Sequence, residues 1–484
     1  MQKKFVVNFI SRILFLVSLF LILPLLWSFT DPSFHLEIEA FSFTILLGLL
    51  SSSIFLSFFK VEKIRIVHAS AKDALSVVGL SWIVLSLLGA TPLFITGVVP
   101  SYTDAVFEIV SGFTTTGASI FNDVEILPRG ILFWRSLTHW LGGLGVIALF
   151  IALFPSLGVT SMRLYNLEAS GLDYNKPDPL IRRTAAMLWK IYVFLTVVSV
   201  LLLYACGMPL FDALCHAFGA IATGGFSTQN ASIGAYGANI QWIIIVIMIL
   251  GGINFSLYIG LFHGRIKRFF QDEEFRLYLF LLLAASGICL LLLSSNGDFL
   301  NNVRPAVFQV VSLMTATGFA TADFNLWPYA THAVFLLLMF IGGCAGSTSG
   351  GFKVVRTLLS FKKMLKTIQQ AIYPHSLTSV RLDGVPLQDN IVFSIMVYFI
   401  LYFTTFVFGV FSILLFDSCD ITTAVSASIS ALSSVGPGLG RVGPALNYAW
   451  MSIPSKWTLI FLMLAGRLEL FAIFVLFIPA TWRK

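Results

Sequence analysis

The chain has 484 residues, 57% of them hydrophobic and 11% charged, with a mean hydropathy of +0.91 and a formal net charge of +7. Soluble globular proteins carry about 25% charged residues, so a water-soluble domain is excluded; the long continuous apolar runs also exclude a β-barrel, whose strands alternate polarity over roughly 10 residues. The positive balance reads as cytoplasmic loop charge, not as affinity for nucleic acid, and the 5 cysteines and 7 histidines form no disulfide framework and no metal spacing.

Taken in chain order, apolar runs fall near 5–29, 38–59, 73–98, 130–157, 184–206, 239–262, 276–294, 331–361, 390–416 and 455–481. About 20 residues suffice for one helical crossing, so ten spans are expected. The first run starts basic, but it is too long for a signal-peptide core and no small-residue cleavage site follows, so it reads as an uncleaved span. Alternate loops are basic: Lys3 and Lys4; Lys60, Lys63, Arg65 and Lys72; Arg163, Lys176, Arg182, Arg183 and Lys190; Arg265, Lys267 and Arg268; Lys353, Arg356, Lys362, Lys363 and Lys366; Arg483 and Lys484. The opposite loops carry mainly Asp31, Glu37, Asp104, Asp123, Glu125 and Asp298. Positive loops stay inside, which puts both termini in the cytoplasm.

Four segments are semi-apolar and too short to cross: 102–113, 209–220, 304–314 and 421–432. They read as re-entrant helices, with Asp104, Asp212 and Asp420 at or near helix starts. Each is followed by a small, hydroxyl-rich turn: "TTTGAS" (114–119), "TGGFST" (223–228), "TATGFAT" (315–321) and "SSVGPG" (433–438). Aligned on Gly117, Gly225, Gly318 and Gly436, the turns recur at intervals of 108, 93 and 118 residues. A second mark keeps the same register: "LGG" (141–143), "LGG" (250–252), "IGG" (341–343) and "LAG" (464–466). The expected fold is an all-α polytopic membrane protein with four tandem helix–pore helix–helix units around a pseudo-fourfold pore. Two N-terminal transmembrane helices (1–70) precede pore repeats at 71–160, 161–268, 269–368 and 369–484.

Irregular backbone is tolerated at membrane depth only where protein buries it or water lines it. Four such turns on one axis would present rings of carbonyl oxygens able to replace a cation's hydration shell. Glycine permits the positive φ that aligned carbonyls need, and threonine and serine add hydroxyl oxygens. No carboxylate stands in the turns, which argues against a divalent-cation ring. The candidate filter is Thr114, Thr115, Thr116 and Gly117; Ala222, Thr223, Gly224 and Gly225; Thr315, Ala316, Thr317 and Gly318; Ser433, Ser434, Val435 and Gly436. The second repeat offers Gly224 or Gly225; Gly225 is preferred because positions 104 to 117 and 212 to 225 are both 13 apart. In the fourth, Val435 stands where Thr116 and Thr317 stand and offers no hydroxyl.

On these turns, and over essentially its whole length, the chain resembles the bacterial Trk/Ktr/HKT potassium-transport superfamily, in its TrkH-type membrane subunit. The two extra N-terminal spans belong to that type and are lacking in KtrB proteins. The resemblance implies K+ as the transported ion with no covalently bound cofactor, a multi-pass place in the bacterial inner membrane among its lipids, a homodimer, and a cytosolic TrkA-type nucleotide-binding regulatory subunit. A serine at the first filter glycine goes with sodium permeation in the plant relatives; Gly117 speaks against that here.

The eighth run holds "GGCAGSTSGG" (342–351), five glycines in ten residues, which should break a helix. The resemblance makes Gly342, Gly343, Gly346, Ser347, Thr348, Gly350 and Gly351 an obstructing loop below the filter, with Lys353 near the inner mouth. In the tenth run, Arg467 and Glu469 are intramembrane charges, which are costly and functional by default. Arg467 matches Leu144, Ile253 and Cys344 in the repeat register and reads as a cation on the pore side that repels K+. The competing reading is a structural pair with a carboxylate; Glu469, two residues on, faces elsewhere on a helix. No nucleotide motif is present, so energy or regulation comes from the membrane potential or another subunit. A proton-coupled symporter with a broken-helix site is the alternative; an intramembrane enzyme has no paired carboxylates, Ser–His dyad or metal cluster to support it.

Overall fold

Inside a bilayer no water is available to satisfy backbone polar groups, so apolar segments close their hydrogen bonds within helices. The computed structural model describes residues 3–30, 35–59, 71–157, 179–262, 264, 266–294, 298–373 and 379–482. Lys60, Lys63, Arg65, Arg163, Lys176, Arg265, Asp31, Arg483 and Lys484 of the charge pattern, and the proposed boundaries at 70 and 160, lie outside the described residues.

Helices α1 (Lys3–Phe20), α2 (Ile22–Ser28) and α3 (His35–Phe58) come first. The α2 segment packs against a later helix, α6 (Arg129–Leu157), and Glu37 of α3 accepts the Ile131 N–H at 2.7 Å, capping the start of α6 from a neighbouring helix. Then comes a recurring order of long helix, short helix, long helix. It runs through α4 (Ala71–Ile95), α5 (Tyr102–Phe113) and α6, then α7 (Pro179–Ala205), α8 (Leu210–Ile221) and α9 (Ala238–Gly252), with α10 (Phe255–Phe262) and α11 (Ile266–Gln271) following. It continues with α12 (Glu273–Leu293), α13 (Phe299–Met314), α14 (Tyr329–Ile341) and α15 (Val354–Ile372), and ends with α16 (Asp389–Phe416), α17 (Ile421–Ser433), α18 (Ile453–Arg467), α19 (Phe471–Phe477) and α20 (Pro479–Trp482).

Two of the four short helices start on side-chain caps, while Asp104 and Asp212, expected near such starts, take Lys456 and the Thr228 hydroxyl instead. Ser101 and Asp420 accept N–H bonds at the starts of α5 and α17, as Asp272 does for α12. Helix α13 runs further back than its apolar core indicated, to Phe299, with Pro305 inside it. Each short helix packs against the long helices before and after it. Each also packs against the closing helix of another group: α8 on α6, α13 on α9, α17 on α14 and α5 on α18. That last contact closes the circle.

Among the described residues six helical segments are long and apolar enough to cross a membrane, and a seventh is counted when α9 and α10, bent by 95°, are taken as one span. Of the ten expected spans, the eighth breaks as expected, and the sixth and tenth break where no break was expected. The sixth turns at Ile253–Asn254, where the Asn254 side chain caps the next helix through the Ser256 N–H at 2.9 Å. The eighth is non-helical from Gly342 to Lys353, as its glycines foretold. The tenth breaks after Arg467, where Glu469 and Leu470 take φ of +59° and +57°. A small hairpin, β1 (Arg381–Leu382) and β2 (Val385–Pro386), turns on Asp383–Gly384, both at positive φ.

Candidate functional site

All four short helices end the same way. The N–H groups of Thr116, Gly224, Thr317 and Val435 bond back to the carbonyls of Ser111, Gly219, Ser312 and Ser430, at 2.7–2.9 Å. The residue before each, Thr115, Thr223, Ala316 and Ser434, is left-handed, with φ of 51–55°. This is a Schellman ending, built here on residues with a side chain where glycine is usual. The next residue is the register glycine: Gly117, Gly225, Gly318 and Gly436 have φ of +79°, +85°, +81° and +100°.

The four turns meet in a ring. A Cβ at Gly117 would overlap the Gly224 carbonyl oxygen; at Gly225, that of Thr317; at Gly318, that of Val435; and at Gly436, that of Thr116. Each glycine therefore touches the equivalent carbonyl of the next turn, and the fourth returns to the first. The choice between Gly224 and Gly225 resolves here too. Gly225 holds the positive φ, whereas Gly224 is small because the His139 ring sits where its Cβ would go. His139 spans from the Gly112 carbonyl (2.8 Å) to the Phe226 N–H (3.2 Å), which fixes Nδ1 as donor and Nε2 as acceptor.

The hydroxyls depart from expectation. Thr114 and Thr116 pair with each other at 2.8 Å, as do Thr315 and Thr317 at 2.7 Å, and Thr114 and Thr315 donate to helix carbonyls. These oxygens are engaged within their own turns, so Val435 forgoes little. The buried Thr115 and Ser434 hydroxyls have no partner, and Ser433 bonds Tyr402 at 2.7 Å.

Beyond the glycines the turns are laced together. Asn230 bonds Asp123 and the Val124 N–H; the Gly234 N–H meets the Ala320 carbonyl; Asn325 bonds Gly440; and the Tyr448 N–H meets the Ser119 carbonyl at 2.9 Å. The Asn230 amide holds the exposed Asp123 carboxyl below its usual range. Lys456 of α18 pairs with Asp104 of α5 at 2.6 Å.

On the other side of the ring lies the 342–353 segment. Its stem is closed by Phe352, Lys353 and Val354 N–H groups on the Phe340, Ile341 and Gly343 carbonyls. Glu274 of α12 accepts the Ala345 N–H at 2.6 Å and the Val355 N–H at 3.2 Å, holding both flanks. The tip reaches under the second turn: the Thr348 hydroxyl donates to the Ile221 carbonyl at 2.8 Å and the Gly251 carbonyl at 3.1 Å. The glycines permit close approach; a Cβ at Gly350 would overlap the Ser433 carbonyl, and one at Gly346 the Asn254 side chain. Ser347 bonds the Cys344 carbonyl, while Gly342, Gly346 and Gly351 take positive φ. Arg467 is buried and gives Nη1 to the Thr348 carbonyl at 2.5 Å and Nη2 to the Gly142 carbonyl at 3.5 Å, while its Nε has no partner. The guanidinium thus ties the loop tip to α6.

The charges of this region find partners that the sequence did not name. Glu469 pairs not with Arg467, from which it is two residues removed, but with Arg356 at the start of α15. Lys353 is buried, its ammonium folded back onto the Ser349 carbonyl within the loop. Cys344 and Ile253 share a register with Arg467 only in the sense that both sit at helix breaks. Sequence reasoning also missed Glu108 and Arg135, a buried ion pair at 2.8 Å behind the first turn. A carboxylate in a re-entrant helix and an arginine in the fourth apolar run were the available signals. Among the described residues no His/Cys/Asp/Glu cluster has metal-site geometry.

These features define a polytopic helical membrane protein with short helices that converge on a ring of four glycine turns beside a non-helical loop. A family model described as "TrkH: Cation transport protein" matches residues 42–484. The Trk system potassium uptake protein TrkH of Halomonas elongata is 37% identical over 495 residues, covering 100% of both chains, and that of Escherichia coli is 40% identical over 422 residues, 86% of each. The crystal structure of the potassium transporter TrkH from Vibrio parahaemolyticus superposes with a TM-score of 0.91 at 32% identity over 100% of both chains. The chain belongs to the TrkH family of cation transport proteins.

Proposed function

We propose that this chain takes up K+ across the bacterial inner membrane. Both termini are cytoplasmic, and the ring formed at Gly117, Gly225, Gly318 and Gly436 is its selectivity filter. The observation that carries the reading is the closed cycle of glycine-to-carbonyl contacts. It brings peptide oxygens from four turns to one place, which suits a dehydrated monovalent ion. The relatives' names as potassium uptake proteins support the choice of ion. The units 71–160, 161–268, 269–368 and 369–484 each contribute one turn, and α1 to α3 stand beside them.

The loop from Gly342 to Lys353 is the gate, and Arg467 holds it shut. Removing its bond to the Thr348 carbonyl frees the loop tip and takes a fixed positive charge from the ion's path. The relatives' designation as parts of a Trk system supports a second component; we assign that role to a cytosolic TrkA-type nucleotide-binding subunit acting on a homodimer of this chain.

The test is flux in proteoliposomes under K+, Rb+, Na+ and Li+ gradients, with and without a pH gradient. K+ and Rb+ should pass without obligatory proton movement, and Gly318→Ser should weaken the preference over Na+. Arg467→Ala should raise K+ flux. Equal flux of all four ions in the parent, or a Gly318→Ser variant with unaltered preference, would overturn the reading.

A further inference from the structure

One polar device recurs behind the ring. Glu108, His216 and Gln309 each stand nine residues before a register glycine, and each reaches the stretch just beyond that glycine. Glu108 accepts the Ser119 hydroxyl at 3.0 Å and the Ile120 N–H at 3.0 Å. His216 Nε2 meets the Ser227 hydroxyl at 2.9 Å, and the Gln309 amide, its oxygen assigned to the side that faces donors, accepts the Thr321 N–H at 2.8 Å. The equivalent position in the fourth turn is Ala427; its neighbour Ser426 does the work, accepting the Leu439 N–H at 2.8 Å.

The first of these ties differs from the rest in being ionic, and through Arg135 it reaches the second turn. Arg135 gives Nε to Glu108 at 2.8 Å and Nη2 to Ser119 at 3.2 Å. Its guanidinium lies 4.1 Å from the ring of Phe226, the residue directly after Gly225, and Nη1 is 3.5 Å from the Ser227 carbonyl. Glu108 and Arg135 are 0% and 2% exposed. Burying two charges is expensive, and apolar residues of like volume usually stabilise a protein as well or better. What apolar residues lack is direction. A planar guanidinium with fixed donors on one turn and an aromatic face on the next sets a spacing.

We propose that the Glu108–Arg135 pair is a positioning element that fixes the seam between the first and second turns and so sets the ion preference of the ring. The inference rests on reading the ring as the K+ filter. Ion discrimination by carbonyl oxygens depends on their spacing and field, and the pair acts on both through the backbone it holds.

The test measures the K+ to Na+ flux ratio and thermal stability together, in proteoliposomes and detergent. Arg135→Lys and Glu108→Gln should each lower the ratio about tenfold, with K+ flux itself falling less. The double variant Glu108→Gln/Arg135→Met removes both charges at once; its thermal stability should return towards the parent while its ratio stays low. A ratio that recovers with stability, or one unchanged in folded Arg135→Lys, overturns the proposal. Gly318→Ser in the same assay separates the two readings. If it shifts the ratio and the Arg135 and Glu108 variants do not, the positioning role alone fails; if it too leaves the ratio alone, the filter reading fails.

Discussion

Gly224 and Gly225 are adjacent and do different things. Gly225 is needed for its backbone, at φ +85° and against the Thr317 carbonyl; Gly224 is needed for space, against the His139 ring. Gly225→Ala should therefore abolish selective K+ flux whatever its surroundings, because both strain and a backbone oxygen oppose it. Gly224→Ala should also fail, but His139→Ala beside it should restore part of the flux, and the double variant in a proteoliposome assay checks this. Thr115 makes a second residue-scale case. A β-branched residue at φ +51° costs on the order of 1–2 kcal/mol relative to glycine. Thr115→Gly should raise thermal stability yet weaken ion preference, since its buried, unpartnered hydroxyl is lost. The register glycines were legible because each sits in a short, hydroxyl-rich phrase that recurs four times. His139 was not, because the Phe226 N–H it bonds lies 87 residues along the chain. Arg135 was missed because a single cation inside a long apolar run is quiet until its partner is in view.

At the scale of elements, the three broken runs differ in how loudly they announce themselves. Five glycines in ten residues gave the 342–353 break away. The bend at Ile253–Asn254 needs only a glycine pair and one capping asparagine, and the break after Arg467 has a single glycine before it. Hydropathy reads straight through both, because apolar content says nothing about whether carbonyls find partners. The Gly251 and Gly252 carbonyls left at the first break are taken by Thr348 and Cys344, so one broken helix is completed by the loop of another. Glu274 governs that loop from outside. Glu274→Ala would leave the Ala345 and Val355 N–H groups without their acceptor, each orphan costing about 1–3 kcal/mol. The expected outcome is higher basal K+ flux with lower thermal stability. A variant that loses stability and keeps flux low would show that Glu274 serves folding alone.

For the whole molecule, the closing contacts carry the most weight. Lys456 and Asp104, each 8% exposed by side chain, join α18 to α5. Removing one partner of such a pair costs about 3–5 kcal/mol, because a buried charge is left alone. Lys456→Met should lower the unfolding temperature sharply, and adding Asp104→Asn should recover most of the loss, as measured by thermal unfolding in detergent. The helical membrane class and the fourfold recurrence of the glycine turns were readable from composition and period. Closure around one axis was expected from the fourfold recurrence; the particular contacts that close it, α18 on α5 and Lys456 on Asp104, were not, since they join positions hundreds of residues apart.

That closure has a bearing on biosynthesis. The bonds from Arg467 to Gly142 and from Lys456 to Asp104 join residues 325 and 352 positions apart. At 5–20 residues per second, a ribosome takes roughly 20–70 s to cover that stretch. Throughout that wait the nascent polypeptide holds a finished first quarter whose flank stays bare until the last helices emerge. A premature stop codon upstream of Lys456 leaves an open arc in the lipid, not a leakier version of the whole.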